Sequence, residues 1–277
     1  MDQRLPLFRA FFATLVTSNA GVSGQRIQAA FASTPREKFL GSGPWRVLTP
    51  LGYIQTPSDD PAFLYQDITV GLEAEGTINN GQPTLHALCL GALKVQEGET
   101  IVHIGAGTGY YTTLLSKLTG PAGSVEAYEI EERLAERAAA NLTDQSNVTV
   151  HTCSGSDRAL PVCDAIYVNA GATEPLPAWL EALRPGGRLL FPLTPDKGHG
   201  GMLLIKRVQE EEERFEARFL CPVLFIPCVG ARDESVAGAL AEAFRHKDLK
   251  SVRSLRRNTT PDETCWFQGP DWWLSTE

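Results

Sequence analysis

The sequence lacks any C-x-x-C pair, any H-E-x-x-H and any other short ligand spacing; its six cysteines, at 89, 153, 163, 221, 228 and 265, and its five histidines are scattered. Disulfide frameworks and zinc sites need regular close spacings, so the cysteines read as small buried hydrophobes or free thiols, and no metal is expected. Long apolar runs are also missing, the longest falling far short of the roughly 20 residues that cross a bilayer. The opening Met1-Asp2-Gln3-Arg4-Leu5-Pro6-Leu7-Phe8-Arg9 puts an acid, two arginines and a proline where a secretory signal carries its apolar core. A cytoplasmic protein with no membrane partner is therefore expected. There is no long basic run, and the net charge is −8. That disfavours nonspecific binding to nucleic acid, which requires a positive face. No internal repeat or low-complexity tract is present.

What remains is an ordinary globular composition over 277 residues, enough for one large domain or a domain with additions. Its most informative stretch is Val102-His103-Ile104-Gly105-Ala106-Gly107-Thr108-Gly109-Tyr110, with Glu129 about twenty residues on. This reads as a buried strand, a glycine turn, a helix and a second strand ending in a carboxylate. Glycines let the backbone turn sharply and approach a ligand, and the helix beginning near Tyr110 directs free N–H groups at it. Glu129 is placed to accept hydrogen bonds from two ribose hydroxyls. The dinucleotide fingerprint is G-x-G-x-x-G, but here the glycines alternate and the sixth position is Tyr110. The G-x-G-x-G form resembles that of S-adenosylmethionine-dependent methyltransferases, which bind no pyrophosphate.

Helical spacing is expected over residues 4–20, over 24–33 with Ser23 as cap, and over 83–93 with Pro83 in the first turn. Residues 41–60, rich in turn formers, read as mostly loop, with Trp45, Tyr53 and Tyr65 taken as core cover in preference to a substrate groove. Strands are expected at 100–104, 124–128, 148–152, 164–168 and 188–193, with helices at 111–118, 131–142 and 177–183 between them. The fold class is therefore α/β, a doubly wound and mostly parallel sheet. After Gly201 strands follow one another directly. Met202–Val208 and Phe215–Phe219 flank the acidic run Glu210–Glu213, read as a solvated hairpin tip, and Pro222–Val229 completes the sheet. Ser235–Phe244 reads as a helix. The tail, with Trp266, Phe267, Trp272 and Trp273, is too aromatic to be left in water and is expected to pack back. This gives an N-terminal helical and loop region on the substrate side (1–75), a cofactor domain (76–208) and a C-terminal antiparallel extension (209–277).

Several ordered blocks between Ala29 and Gly230 resemble the protein-L-isoaspartate O-methyltransferases. They are Ala32-Ser33-Thr34-Pro35-Arg36-Glu37-Lys38-Phe39, then Thr77-Ile78 with Gln82-Pro83 and His86-Ala87, then the Gly105–Tyr110 and Glu129 motifs. Asp164-Ala165-Ile166, Leu183-Arg184-Pro185-Gly186-Gly187-Arg188-Leu189 and Val223-Leu224-Phe225-Ile226-Pro227 follow in the same order. The resemblance implies transfer of the sulfonium methyl of S-adenosyl-L-methionine to a carboxylate oxygen of a peptide or small molecule. A carboxylate is already ionised at neutral pH, so positioning, not a general base, dominates such a reaction. It also implies a cofactor set of Gln82, His86, His103, Gly105, Ala106, Gly107, Thr108, Gly109, Tyr110, Glu129, Ile130, Ser154, Gly155 and Asn169. Thr77, Asn79, Asn80 and Gly81 form its acceptor loop.

Three positions depart from the family pattern. Its loop reads threonine-isoleucine-serine shortly before the proline. Here Thr77-Ile78-Asn79-Asn80-Gly81-Gln82-Pro83 is two residues longer and lacks the serine, so that Asn79 takes its place counting forward and Gly81 counting back. Asn79 or Asn80 then offers an amide donor, or Asn80-Gly81 simply makes a tight turn. The acid before the glycines is replaced by His103, which either contacts the methionine portion of the cofactor or is a satisfied core histidine. The adenine-side Gly-Asp-Gly appears as Cys153-Ser154-Gly155, leaving Ser154 or Asp157 to accept the adenine amine. His199 reads as a solvated loop residue. These departures leave open a metabolite or modified biosynthetic peptide as acceptor, and a catalytically silent homologue that only binds the cofactor. Oligomeric state is not readable.

Overall fold

The computed structural model describes residues 4–208 and 214–277; the expected tip at Glu210–Glu213 lies outside them. The helices α1 (Leu5–Asn19), α2 (Gln25–Ala32) and α3 (Glu37–Leu40) come first. They are followed by strands β1 (Arg46–Thr49) and β2 (Gly52–Gln55) and helix α4 (Pro83–Leu93). Then come β3 (Thr100–Ile104), α5 (Tyr110–Thr119), β4 (Ser124–Glu129), α6 (Glu132–Asn141), β5 (Val148–Thr152) and β6 (Cys163–Val168). After these lie α7 (Pro177–Ala182), β7 (Leu183–Leu193), β8 (Gly200–Arg207), β9 (Arg214–Val223) and α8 (Glu234–His246). Strands β10 (Ser254–Arg257), β11 (Cys265–Gln268) and β12 (Trp272–Ser275) close the chain. Two compact units result, Met1–Glu99 with Ala106–Cys153, and Thr100–Gly105 with Ser154–Glu277.

In the first unit the apolar spacing of α1 buries Phe12, Ala13 and Val16. The Phe12 ring meets Phe31 of α2 and Tyr65 edge-on, at 6.1 and 5.8 Å. Ser23 does not cap α2; Gly24 is its N-cap residue and no side chain bonds there. Residues 41–60, expected to be mostly loop, contain the β1–β2 hairpin. Its ladder extends through Leu48 N–H to Thr69 O and Gly71 N–H to Arg46 O, and then through Asn80 N–H to Val70 O. Residues 69–72 and 78–80 thus join β1 and β2 in a small antiparallel sheet. Its inner side contributes Trp45, Val70 and Leu72 to a core with Leu40, Leu64 and Leu134. Trp45 and Tyr65 are buried as expected, whereas Tyr53 is half-buried beneath the Arg46 guanidinium, 4.3 Å from its ring centre. Strands β4 and β5 pair in parallel.

The second unit holds strands in the order β11-β12-β10-β9-β8-β7-β6-β3. The pairs β3–β6 and β6–β7 are parallel, and from β7 onward every pairing is antiparallel, as the change after Gly201 predicts. Ala165–Val168 of β6 is fully buried, the expected state of a strand covered on both faces. The segment Pro222–Val229, expected to complete the sheet, does so only in part. Pro222 and Val223 end β9, and the rest crosses Gly171 through one isolated bridge at Pro227, leaving Leu224 and Val229 exposed. The tail packs back as expected. Trp266, Trp272 and Trp273 are buried on β11 and β12, and Trp266 joins Phe219 and Phe244 in an aromatic cluster. All six cysteines are free; Cys89, Cys163 and Cys228 are buried and the other three half-buried. Among the described residues no helix is long and apolar enough to cross a membrane, and no group of three or more His, Cys, Asp or Glu could hold a metal ion.

Candidate cofactor and acceptor site

All three loop glycines take positive φ, 76° at Gly105, 58° at Gly107 and 92° at Gly109, where a side chain is strained. At Gly109 a Cβ would also stand 2.8 Å from Leu142 Cδ1. In the first unit this turn meets Glu129. Gly107 N–H donates to its Oε2 at 2.6 Å, Glu131 N–H to its Oε1 at 3.0 Å, and Ala106 N–H to Tyr128 O at 3.1 Å. Burial raises the Glu129 carboxyl above its ordinary range, against the pull of the N–H groups of Glu131, Gly107 and Ile130. A carboxylate has about four acceptor positions, so these backbone bonds do not exhaust it. Ile130, immediately after it, is an exposed apolar side chain.

Thr108 is buried and held through its carbonyl by Asn141 Nδ2 at 2.9 Å. Tyr110 begins α5, but its ring lies among Phe31, Phe39 and Tyr111, with no hydrogen-bond partner for its hydroxyl among the described residues. Its place in the predicted set rests on its backbone. His86, buried on α4, stacks on Tyr111 at 3.6 Å between ring centres. Gln82 is engaged by Asp67, which accepts its Nε2 at 3.0 Å and also caps α4 by accepting Thr84 N–H at 2.8 Å. The Asp67 cap was not legible, since it comes from a loop 17 residues upstream of Thr84. Neither was Arg46, which donates to the carbonyls of Glu73 and Gly76 and straps the exposed tip of the acceptor loop. Arg36, fully buried, binds the carbonyls of Leu64, Gln66 and Ile68 and so fixes the segment carrying Asp67. Thr77 is exposed, and its carbonyl accepts Asn79 Nδ2.

In the second unit His103 is fully buried, and burial alone pushes its imidazole down to about 3, so it is neutral. Its Nε2 lies 2.8 Å from Asn169 Nδ2, leaving Asn169 Oδ1 buried and without a partner among the described residues. Gly105 approaches the Asn169 backbone, and Gly155 is packed so closely that a Cβ would meet Ile104 at 2.8 Å. Trp179 Nε1 secures the Gly155 carbonyl at 2.9 Å. Ser154 Oγ is engaged with Ser156 at 2.6 Å, and Asp157 is exposed beside Arg158. His199 is exposed in its loop, as expected.

The model of one family, protein-L-isoaspartate(D-aspartate) O-methyltransferase, matches residues 14–233, most of the chain. The chain belongs to the protein-L-isoaspartate O-methyltransferase family. A Rhodopseudomonas palustris protein-L-isoaspartate O-methyltransferase is 34% identical over 217 residues, covering 76% of this chain and 88% of its own. One from Brucella anthropi is 32% identical over 215 residues, with the same coverage. Among solved structures, a protein-L-isoaspartate O-methyltransferase aligns with TM-score 0.66 and 23% identity, over 86% of this chain and 69% of that one. A Plasmodium falciparum structure, described as a complex with S-adenosyl-L-homocysteine, aligns with TM-score 0.63 and 16% identity over 80% and 98%. At these identities the two structures establish the fold, the α/β class of the family. Residues 234–277, with α8 and β10–β12, lie beyond the family match.

Proposed function

We propose that this chain is an S-adenosyl-L-methionine-dependent protein-L-isoaspartate O-methyltransferase that esterifies a carboxylate. The observation that carries the cofactor assignment is the Glu129 carboxylate, buried at the end of β4, fixed by two backbone N–H groups and retaining acceptor positions. A ribose diol matches those positions, and exposed Ile130 offers an apolar face to a purine. Asn169 Oδ1, a buried acceptor without a partner among the described residues, suits an ammonium group in place of the acid that the family carries before its glycines. The glycine turn supplies bare backbone at Gly105, Ala106, Gly107 and Gly109. Ser154 is committed to Ser156, so its proposed role toward the adenine amine would need that pair to open.

When bound, the cofactor supplies an electrophilic methyl group on sulfur. The chain's part is positioning: residues 77–81 orient the acceptor carboxylate, and Glu129 and the glycine turn hold the donor, with no base required. The longer loop without serine favours one second reading, a metabolite or a modified biosynthetic peptide as acceptor. The test is incubation with methyl-labelled S-adenosylmethionine and an isoaspartyl peptide. Base-labile methyl esters on the peptide support the proposal, and label found only on small carboxylic acids supports the second reading. Tight cofactor binding without any turnover leaves a silent homologue.

A further inference from the structure

We propose that the Asn80 carboxamide is the side-chain donor this loop offers to the acceptor carboxylate, an assignment that rests on the function proposed above. Asn79, reached by counting forward from Thr77, has both polar atoms committed to closing the turn. Its Nδ2 donates to Thr77 O at 2.9 Å and its Oδ1 accepts Gly81 N–H at 3.0 Å. Gly81, reached by counting back from Pro83, has no side chain and no room for one. Its φ is +70°, and a Cβ there would lie 2.1 Å from His86 Nε2, on a ring held against Tyr111. A hydroxyl at either position is replaced by something that cannot act for it.

Asn80 differs from both. Its N–H donates to Val70 O at 3.0 Å and its Oδ1 accepts Val70 N–H at 2.8 Å, so the residue is fixed on the neighbouring strand by two bonds. Its Nδ2 is buried without a partner among the described residues, in a residue only 8% exposed. The amide orientation follows from chemistry, since a flip would set the NH2 against the Val70 N–H donor. A buried donor left unmatched is uncommon in folded proteins and asks for an acceptor from outside. The atom is closed to solvent, so an incoming group reaches it only when the loop shifts. The adjoining tip at residues 73–77 is exposed and tied down by Arg46.

The chemistry of this donor sets a preference. A serine hydroxyl both donates and accepts, whereas an amide whose oxygen is committed can only donate. Such a group favours an ionised carboxylate, whose charge strengthens the bond it accepts, over the neutral oxygen of an alcohol or an amide. Asn80 holds one carboxylate oxygen while the other attacks. An O–CH3 bond forms, the S–CH3 bond breaks with its electron pair going to sulfur, the sulfonium becomes a neutral thioether, and no proton moves.

Asn80→Asp keeps an oxygen facing Val70 and puts a second oxygen where the donor stood. With S-adenosylhomocysteine present, calorimetry should find the affinity for an isoaspartyl hexapeptide lowered at least tenfold, with KM raised to match. Affinity for S-adenosylhomocysteine should stay within twofold. Peptide affinity unchanged within twofold, or an equal loss of both ligands, overturns the assignment. If the variant does not fold, the Asn80 NH2 signals of nitrogen-15-labelled wild type decide: a downfield shift on adding peptide supports the proposal and its absence overturns it. Wild-type protein that binds the peptide but forms no methyl ester removes the proposed activity, while the peptide affinities still decide the role of Asn80.

Discussion

Glu129 and His103 show how burial tunes two side chains in opposite senses. Glu129→Ala removes hydrogen bonds to a charged group and should weaken S-adenosylhomocysteine binding by about 1.5–3 kcal/mol, measured by calorimetry. Because burial raises the Glu129 carboxyl, its protonation begins at a higher pH than that of an exposed glutamate. Affinity for that ligand should therefore fall on acidification sooner than an ordinary carboxylate would allow. His103 works through stability. Its imidazole titrates near 6.5 when unfolded and at about 3 when folded, so between those values the unfolded chain binds the extra proton. The stability it permits is complete above pH 6.5 and is lost as pH falls toward 3, by up to about 1.4 kcal/mol per pH unit. Urea midpoints over that range should fall less steeply in His103→Gln than in wild type. Equal slopes would mean that His103 is protonated in the folded protein.

The acceptor loop is the element in which local strain and tertiary packing meet. Gly81→Ala meets a positive φ that costs about 1 kcal/mol and, in addition, the His86 ring. Combining it with His86→Ala should recover part of the loss, so that denaturation of the four proteins in the cycle gives a non-additive total; strict additivity would separate the two residues. The elements legible in the sequence were those whose pattern is set by their own residues. β6 is a continuous apolar run, α4 is opened by Pro83, and the alternating glycines required the turn they make. The small sheet through β1 and residues 69–72 and 78–80 was hidden because its strands are short, half-buried and interrupted by glycine and proline. Residues 224–229 misled in the other direction: apolar composition suggests that the strand runs on past Val223, yet the chain there is placed by the backbone of Gly171 and keeps Leu224 and Val229 in solvent. At the site, Glu129 was found by its spacing from the glycines. The roles of Asp67, Arg36 and Arg46 depend on neighbours brought close only by folding.

At the scale of the whole molecule, the chain extends the family's span with α8 and a three-stranded addition built around tryptophan. Trp273 is fully buried, stacked under Arg256 at 4.6 Å and bonded through Nε1 to Thr259. Trp273→Ala should lower stability by about 3–5 kcal/mol and the melting temperature by on the order of 10 °C, read by calorimetry. A shift of a degree or two would make the tail an ornament and not part of the core. The distribution of cysteines has a practical consequence. With Cys89, Cys163 and Cys228 enclosed and burial raising Cys163 to about 12 and Cys228 to about 11, these thiols are nearly all protonated and sheltered at neutral pH. A colorimetric disulfide reagent should thus titrate the intact molecule slowly and incompletely and reach all six equivalents only in denaturant, giving every preparation a built-in gauge of how much of it is folded.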